Sequence, residues 1–443
     1  MKQEIGKSAE YVLPDGGGDG RRVCLFTASH EPSGVGRHML ALAEGLREHY
    51  DITLGCIRHG QGEQLLARAA ALGVETLPLD GCGRRTDPEI ERLRSWLRAS
   101  QMDVFHVHAG VGWEGHTCIY AAREAGVSVI VRTEHLADMI RKPPERASHR
   151  HAISAVDGLI CVSLGVARSM RRAGVPLAKI TVVRNGVPPA PEHPEMIPML
   201  RELHLPAGAR LVLTVARFTG QKGHRFLLQA IPTILAACPT AQFLWVGEGP
   251  LKEVLKHEVR KCGLESAVRF LGQRDDVPAL LAASDLVVLP SLFEGLPLVI
   301  LEAMAAGRPV VATRTSGTDE AVFDGETGRL VQPRNAQALA AGVVEALSSP
   351  ELATRWGAAG CERWRREFTA ARMVRQTAAI YENMLLRQVS VPISSVTAGD
   401  TTILRSSGTR PSSLAERIGY ADSHRFRRDR LHRESTSRRS PRV

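Results

Sequence analysis

The stretch P-S-L-F-E-G-L-P-L-V-I-L-E-A-M-A-A-G-R-P-V-V-A-T-R-T-S-G-T-D-E-A-V-F-D-G-E-T-G-R-L, residues 290–330, reads as strand end, loop, helix, strand and loop. Glu294 falls in the loop and Glu302 inside the helix, with seven residues between them. Gly295, Leu296 and Pro297 make a natural helix start. Proline is tolerated in a first turn, and the unpaired N–H groups and dipole there attract an anion. Glu302 lies about a turn and a half past Pro297, so its carboxylate can face a ligand lying across that helix end. A ligand with phosphate in the middle and hydroxyls at each side fits this order. The two acids bracket Phe293, Leu296, Leu298, Val299, Ile300 and Leu301, an apolar run expected to pack inward. An acid beside such a run needs a polar partner, which a sugar hydroxyl or a ribose would supply.

Outward from this stretch the chain alternates apolar strands with helices. The first series is V-C-L-F-T-A, I-T-L-G-C-I, V-E-T-L-P-L, D-V-F-H-V-H, V-S-V-I-V-R, G-L-I-C-V-S and I-T-V-V. A Pro-rich segment from Arg184 to Ala209 interrupts it, and R-L-V-L-T-V-A, Q-F-L-W-V-G, V-R-F-L-G, L-V-V-L-P and P-V-V-A-T begin a second series. Apolar strands alternating with helices predict parallel sheets covered on both faces. The expected fold is therefore α/β, with two facing Rossmann-like domains and an interdomain cleft. The boundaries read as a flexible leader over 1–20, a first domain over 21–184, a linker over 185–209, a second domain over 210–367, a terminal helix over 368–387 and a disordered basic tail over 388–443.

Composition supports that division. A chain of 443 residues exceeds one ordinary domain, and 44% apolar residues suffice for two large cores. Of the formal charge of +10, six units come from the stretch after residue 387, where eleven arginines meet five acids, so the folded part is only mildly basic. That tail is poor in large apolar residues and is expected to stay solvated, which argues against a nucleic-acid partner. The eight cysteines show no metal-ligand spacing, and Cys24 and Cys161 lie in apolar runs where a reduced thiol acts as a small hydrophobe, as in a reducing cytoplasm. No signal-length or membrane-spanning apolar run occurs, which predicts a soluble chain or one lying at the inner face of a membrane.

Open parallel sheets bind ligands at the carboxyl ends of their strands, and the polar motifs fall there. T-V-A-R-F-T-G-Q-K-G-H places Arg217 just after a strand and Lys222 at the next helix start, two cations able to neutralise a diphosphate. Gly247, in V-G-E-G-P, permits close backbone approach, and Arg274, in F-L-G-Q-R-D-D, is either a surface on which a base stacks or an exposed loop residue. S-G-V-G-R-H supplies Gly34 and Gly36 but is an incomplete dinucleotide fingerprint. His108 and His135 end two further strands. No D-x-D, G-x-S-x-G or P-loop pattern occurs, so metal-held diphosphate, hydrolase and NTPase readings are unsupported.

The E-G-L-P-L-V-I-L-E-A-M-A-A-G-R-P-V-V-A-T segment with S-G-T-D-E, together with the R-x4-K-G element, resembles the family-four retaining glycosyltransferases of the GT-B fold. The resemblance covers about residues 22 to 386. It implies that the first domain takes the acceptor, the second the nucleotide sugar, and that the terminal helix crosses back to the first domain. It assigns Glu294 to the donor sugar's hydroxyls, Glu302 to the ribose, Arg217 and Lys222 to the diphosphate, and the Arg274 loop to the base. Gly295 and Leu296 begin the helix that faces the phosphate. Gly34 and Gly36 let their loop approach the leaving diphosphate, with Ser33 in place of the family's first glycine. His135 sits beside donor sugar and acceptor, whereas Asn185 and Gly186 make a turn. No metal or other cofactor is implied; the partners are a nucleotide diphosphate sugar and a saccharide or lipid-linked acceptor.

The arginines 141, 146, 150, 168, 171 and 172, with Lys142, fit an anionic or membrane-surface acceptor, or simply solvated helix faces. Three other classes stay in view. A nucleotide-sugar 2-epimerase shares two facing domains but not this pairing of motifs. A nicotinamide oxidoreductase needs an acid after the second strand, where Arg58 and His59 stand. A non-catalytic binding module would show neither transfer nor hydrolysis.

Overall fold

The computed structural model describes residues 20–83, 85–192 and 202–389. All but the last residue of the expected leader, residues 193–201 of the expected linker and the expected tail from residue 390 lie outside the described residues.

Among the described residues two parallel sheets form. The first is built from β1 (Arg22–Thr27), β2 (Asp51–Ile57), β3 (Glu75–Leu79), β4 (Val104–Ala109), β5 (Val129–Glu134), β6 (Gly158–Cys161) and β7 (Ile180–Val182), in the order β3-β2-β1-β4-β5-β6-β7. The second contains β8 (Arg210–Val215), β9 (Ala241–Val246), β10 (Val268–Gly272), β11 (Leu286–Leu289), β12 (Val310–Thr313) and β13 (Arg329–Val331), in the order β10-β9-β8-β11-β12-β13. The helices of the first lobe are α1 (Ser33–Leu46), α2 (Gln61–Ala71), α3 (Pro88–Ala99), α4 (His116–Ala125), α5 (Pro143–Ser154) and α6 (Leu164–Arg172). Those that follow are α7 (His224–Ala237), α8 (Lys252–Lys261), α9 (Val277–Ala283), α10 (Leu298–Ala305), α11 (Thr318–Ala321), α12 (Ala336–Ser348), α13 (Pro350–Glu367) and α14 (Ala370–Val389).

The central strands are buried throughout because helices cover both faces. All six residues of β9 (A-Q-F-L-W-V) are buried, as are all four of β11 (L-V-V-L) and of β12 (V-V-A-T). Local chemistry starts the helices: the Asp87 side chain accepts from Glu89 N before α3, and Ser163 Oγ accepts from Val166 N, 3.1 Å, before α6. Each sheet reverses its strand order once, between β1 and β4 and between β8 and β11. Those reversals open a crevice where adjacent strands send their loops apart, which is where a ligand is received in folds of this class.

The chain passes between the lobes twice, and the two crossings pair. Val187 N donates to Phe368 O at 3.0 Å, Ala370 N donates to Val187 O at 3.0 Å, and Trp364 Nε1 donates to the same Val187 carbonyl at 3.3 Å. Gly186 is needed there, since a Cβ would stand 2.2 Å from Thr369 O. After this crossing α14 lies on the first lobe, against α1, where Gly45 makes room for Val374. Met373, Val374, Ala378 and Tyr381 join Val23, Met39, Leu42 and Val131 in one buried cluster. The Tyr381 hydroxyl is 2.5 Å from His106 Nδ1, and His106 Nε2 is 2.7 Å from Thr133 Oγ1, so the helix is also pinned by a buried polar chain.

Removing that anchor has two separable costs. Tyr381→Phe strands His106 Nδ1 and is expected to cost about 1–3 kcal/mol. Tyr381→Ala adds a cavity, for roughly 3–5 kcal/mol in total. Urea unfolding of the two variants beside the parent protein measures both.

Candidate active site

The loop after β8 delivers Arg217 and Lys222, and it is held against the end of β11 by backbone. Gly223 is left-handed (φ 68°), and a Cβ on it would lie 2.0 Å from Pro290 O. Leu292 N donates to Gln221 O at 2.7 Å, and Gln221 Nε2 to Phe293 O at 3.0 Å. The consequence is an ion pair in which Lys222 Nζ stands 2.6 Å from Glu294 Oε1, with Glu294 only 4% exposed. Gly247 serves the same cluster from β9. Its φ is 138°, and a Cβ there would press within 2.3 Å of Ala216 O, next to Arg217.

Helix α10 begins at Leu298 after Pro297 and buries Val299, Ile300, Leu301 and Met304, which forces Glu302 inward. Arg37 of α1 reaches across from the other lobe and places Nη2 2.6 Å from Glu302 Oε1. Glu302 Oε2 is buried with no partner among the described residues. Burial raises the carboxyl's pKa, and the Arg37 charge works against that. Arg217 makes its ion pair with Glu31, again from the first lobe. Lys222, Arg217 and one oxygen of Glu302 thus each meet a complementary charge, and the other Glu302 oxygen remains unsatisfied inside.

His135 opens the loop after β5, and the lobes touch there through backbone. A Cβ on Gly295 would lie 1.9 Å from His135 O, and one on Gly317 (φ 91°) would lie 1.6 Å from Gly295 O. Asn185 Nδ2 donates to Leu296 O at 2.7 Å, tying the first crossing to the start of α10. Nearby, Glu320 accepts from Leu164 N at 2.9 Å and Gly165 N at 2.7 Å, so a carboxylate of the second lobe caps α6 of the first. Beneath His135 lies a nest of buried imidazoles. His108 Nδ1 is 3.4 Å from His135 Nε2, the His38 and His135 ring centres are 4.7 Å apart, and His106 stacks on His108 at 4.0 Å. His38, His108 and His135 offer ligand atoms within 4.8 Å of one another, a grouping able to hold a metal ion. Burial, followed by mutual repulsion of their charged forms, pushes the pKa of His106 and of His108 far down; His135 is depressed the same way, with Arg132 contributing.

The expected residues Glu294, Gly295, Leu296, Lys222, Arg217, Glu302, Gly247 and His135 thus gather where the two lobes face one another. Two expected residues have other roles. Arg274 is neither a free stacking surface nor an exposed loop cation: its Nε lies 2.7 Å from Asp276 Oδ1 and its Nη1 2.8 Å from Glu202 Oε1, which makes it a strut for its own loop. Gly36 lies inside α1 facing Leu65, where a Cβ would crowd both methyls at 3.3 Å, so its smallness serves helix packing. Gly34, at the start of the same helix, faces open space. Arg37, His38, Asn185 and Glu31 complete the site without having been expected in it. Arg37 and His38 belong to the S-G-V-G-R-H motif, about one turn into α1, whereas nothing local distinguishes Glu31 from a surface acid.

Comparison with known proteins finds relatives for both lobes. The family model for Glycosyltransferase Family 4 matches residues 32–190, and that for Glycosyl transferases group 1 matches residues 209–349. A glycogen synthase of Mycobacterium tuberculosis is 34% identical over 215 residues, 47% of this chain and 49% of the relative, so the match spans about half that relative's length. An alpha-maltose-1-phosphate synthase of Mycolicibacterium smegmatis is 29% identical over 412 residues, covering 82% of this chain and 99% of the relative. Among solved structures, Anabaena Alr3699/HepE in complex with UDP and glucose superposes with a TM-score of 0.71 at 22% identity, covering 82% of this chain and all of that one. The shared architecture is the GT-B fold.

The buried imidazoles make the stability of the fold sensitive to acid. An unfolded histidine takes its proton near 6.5, but His38 stays neutral down to about 4 and His224, under Phe218 and Trp245, down to about 3. Between those values the unfolded chain binds more protons, so stability rises with pH there and is lost as pH falls, by up to about 1.4 kcal/mol per unit for each such group. Urea midpoints measured from about pH 7 to about pH 4.5 are expected to fall steadily, and His38→Gln to flatten the slope.

Proposed function

Because this chain belongs to the family-four, group 1 glycosyltransferases, we propose that it moves a hexose-type unit from a nucleotide diphosphate sugar to a hydroxyl acceptor with retention of configuration. The observation that carries the reading is the buried Lys222–Glu294 pair, 2.6 Å apart, at the strand-order reversal of the second sheet. A cation there meets phosphate, and the carboxylate it releases meets sugar hydroxyls. Glu302 Oε2, buried and unpartnered, is the acceptor a ribose hydroxyl would use. Arg217 exchanges Glu31 for the diphosphate, and the start of α10 adds its unpaired amides. Chain groups alone supply the neutralising charge in this proposal, without a metal or other cofactor.

Transfer then runs by same-face attack. The acceptor oxygen bonds to the anomeric carbon as the bond from that carbon to the phosphate oxygen breaks, and the acceptor proton passes to the departing phosphate. Glu294 and Glu302 both hold substrate, so neither is left to form a covalent intermediate. Positioning and phosphate stabilisation provide most of the rate. His135, neutral and wedged against Gly295, orients sugar and acceptor between the lobes. Relatives named for glycogen and maltose-1-phosphate synthesis, and a neighbour of the same fold holding UDP and glucose, support a saccharide-building role in polysaccharide or glycolipid assembly. Among the described residues no helix is long and apolar enough to cross a membrane. A lipid-linked acceptor would therefore be met by these residues from the surface.

Two measurements test this. In a panel of UDP-, GDP- and ADP-sugars at least one should raise the melting temperature, with the shift reduced in Glu302→Gln; a panel without any stabilising member refutes donor binding. Glu294→Ala should lower transfer at least roughly a hundredfold in protein that still folds, as read by circular dichroism, with a lowered unfolding midpoint because Lys222 loses its partner. Undiminished turnover would remove Glu294 from the mechanism.

A further inference from the structure

Behind the loop that carries His135, the first lobe holds a cavity of about 230 Å³ with a character unlike the cleft's. Its floor is the buried Ile140, Ser169 and Ala173, and its rim is Arg141 and Arg146 from the approach to α5 and from α5 itself, with Arg172 from α6. Asp138 is the acid of that lining, and it is already used. Arg172 Nη2 lies 2.6 Å from Asp138 Oδ1, while the Asp138 amide donates to Ser169 Oγ at 2.7 Å and its carbonyl accepts from Arg141 Nε at 2.7 Å. Asp138 is held in the left-handed region (φ 56°) by these three bonds, a conformation that costs a non-glycine residue and needs such support. Arg146 forms no ion pair among the described residues, Arg141 spends only Nε, and Ser169 keeps its O–H to donate. Glu145, the nearest further acid, is turned to the amides of Arg141 and Lys142 at the start of α5.

The lining therefore carries three guanidinium groups against one committed carboxylate, above a small floor with one hydroxyl donor. Forked, planar donors around a compact pocket match the oxygens of a phosphate. The place matters as much as the charge. Asp138 follows His135 by three residues, and Ile140 packs against Gly112 of the loop after β4, where a Cβ would come within 2.5 Å. The cavity thus adjoins both strand-end loops that border the acceptor's side of the cleft.

We propose that this cavity is an anion subsite for a phosphate group of the acceptor, so that the acceptor class is a phosphorylated or phospholipid-linked saccharide. This rests on the reading of the first lobe as the acceptor lobe. Arg146 and Arg172 hold the phosphate from two helices, Ser169 donates from the floor, and the hydroxyl to be glycosylated lies toward His135. The pocket contributes to acceptor affinity and selection and leaves the donor alone.

The test uses the full chain and two probes. Glycerol 3-phosphate represents a free phosphate monoester, titrated by calorimetry. Vesicles of phosphatidylglycerol in phosphatidylcholine, against phosphatidylcholine alone, represent a headgroup, read by co-sedimentation. Arg146→Gln and Arg172→Gln should each weaken the bound probe by roughly tenfold, whereas Arg260→Gln, an exposed charge on α8, should leave it unchanged. Binding of the monoester with that dependence assigns a free phosphate; binding of the anionic vesicles alone, with the same dependence, assigns a lipid phosphate. Failure of both probes, or binding that survives both substitutions, overturns the subsite. Stabilisation by sugar nucleotides is measured on the same variants. Its persistence while the probes fail would sink the subsite and spare the donor site, and its absence from the parent protein would sink the donor reading instead.

Discussion

The backbone of Gly295 lies so close to the carbonyl of His135 that a single added carbon would collide at 1.9 Å, and the arrangement of the cleft follows from that approach. The contact joins the loop bearing Glu294 to the loop bearing His135, one from each lobe. Gly317 backs it from behind, Asn185 ties down Leu296 next to it, and Glu320 clamps the start of α6 alongside. None of these involves side-chain packing that could slide. They are hydrogen bonds to main chain and hard main-chain contacts, so the backbone of His135 is held against the loop that carries Glu294.

Charge placement follows the same economy. Within the cleft three charged groups are satisfied by the protein itself: Lys222 by Glu294, Arg217 by Glu31, and one oxygen of Glu302 by Arg37. A buried charge left alone would be costly, whereas one held by a partner that can be displaced is ready for exchange. The histidines solve the problem differently. They stay neutral, and so share a dry interior without counter-ions at physiological pH.

Much of this was legible in residue order because it depends on local chemistry. Fully apolar strands separated by helices announce parallel sheets, and the proline and glycine before α10 announce a helix end open to an anion. Glu294, Glu302, Arg217 and Lys222 could be read because each stands at a fixed offset from such a signal. Glu31, Arg37 and Asn185 could not, because their partners lie on the other lobe, more than a hundred residues away in sequence. Arg274 is held by a partner that its own loop does not announce. A cation in a strand-end loop suggests a ligand until Glu202, contributed from before β8, is seen to hold it.

The last helix has a consequence for how the chain comes to be made. Val374, Ala378 and Tyr381 belong to the core of the lobe that contains β1, yet they are the final described stretch to leave the ribosome. The lobe synthesised first must therefore wait, its groove beside α1 open, while the lobe synthesised second already has every strand it needs. Order of synthesis and order of completion are reversed, and the nascent protein carries an unfilled apolar trough until α14 has been made.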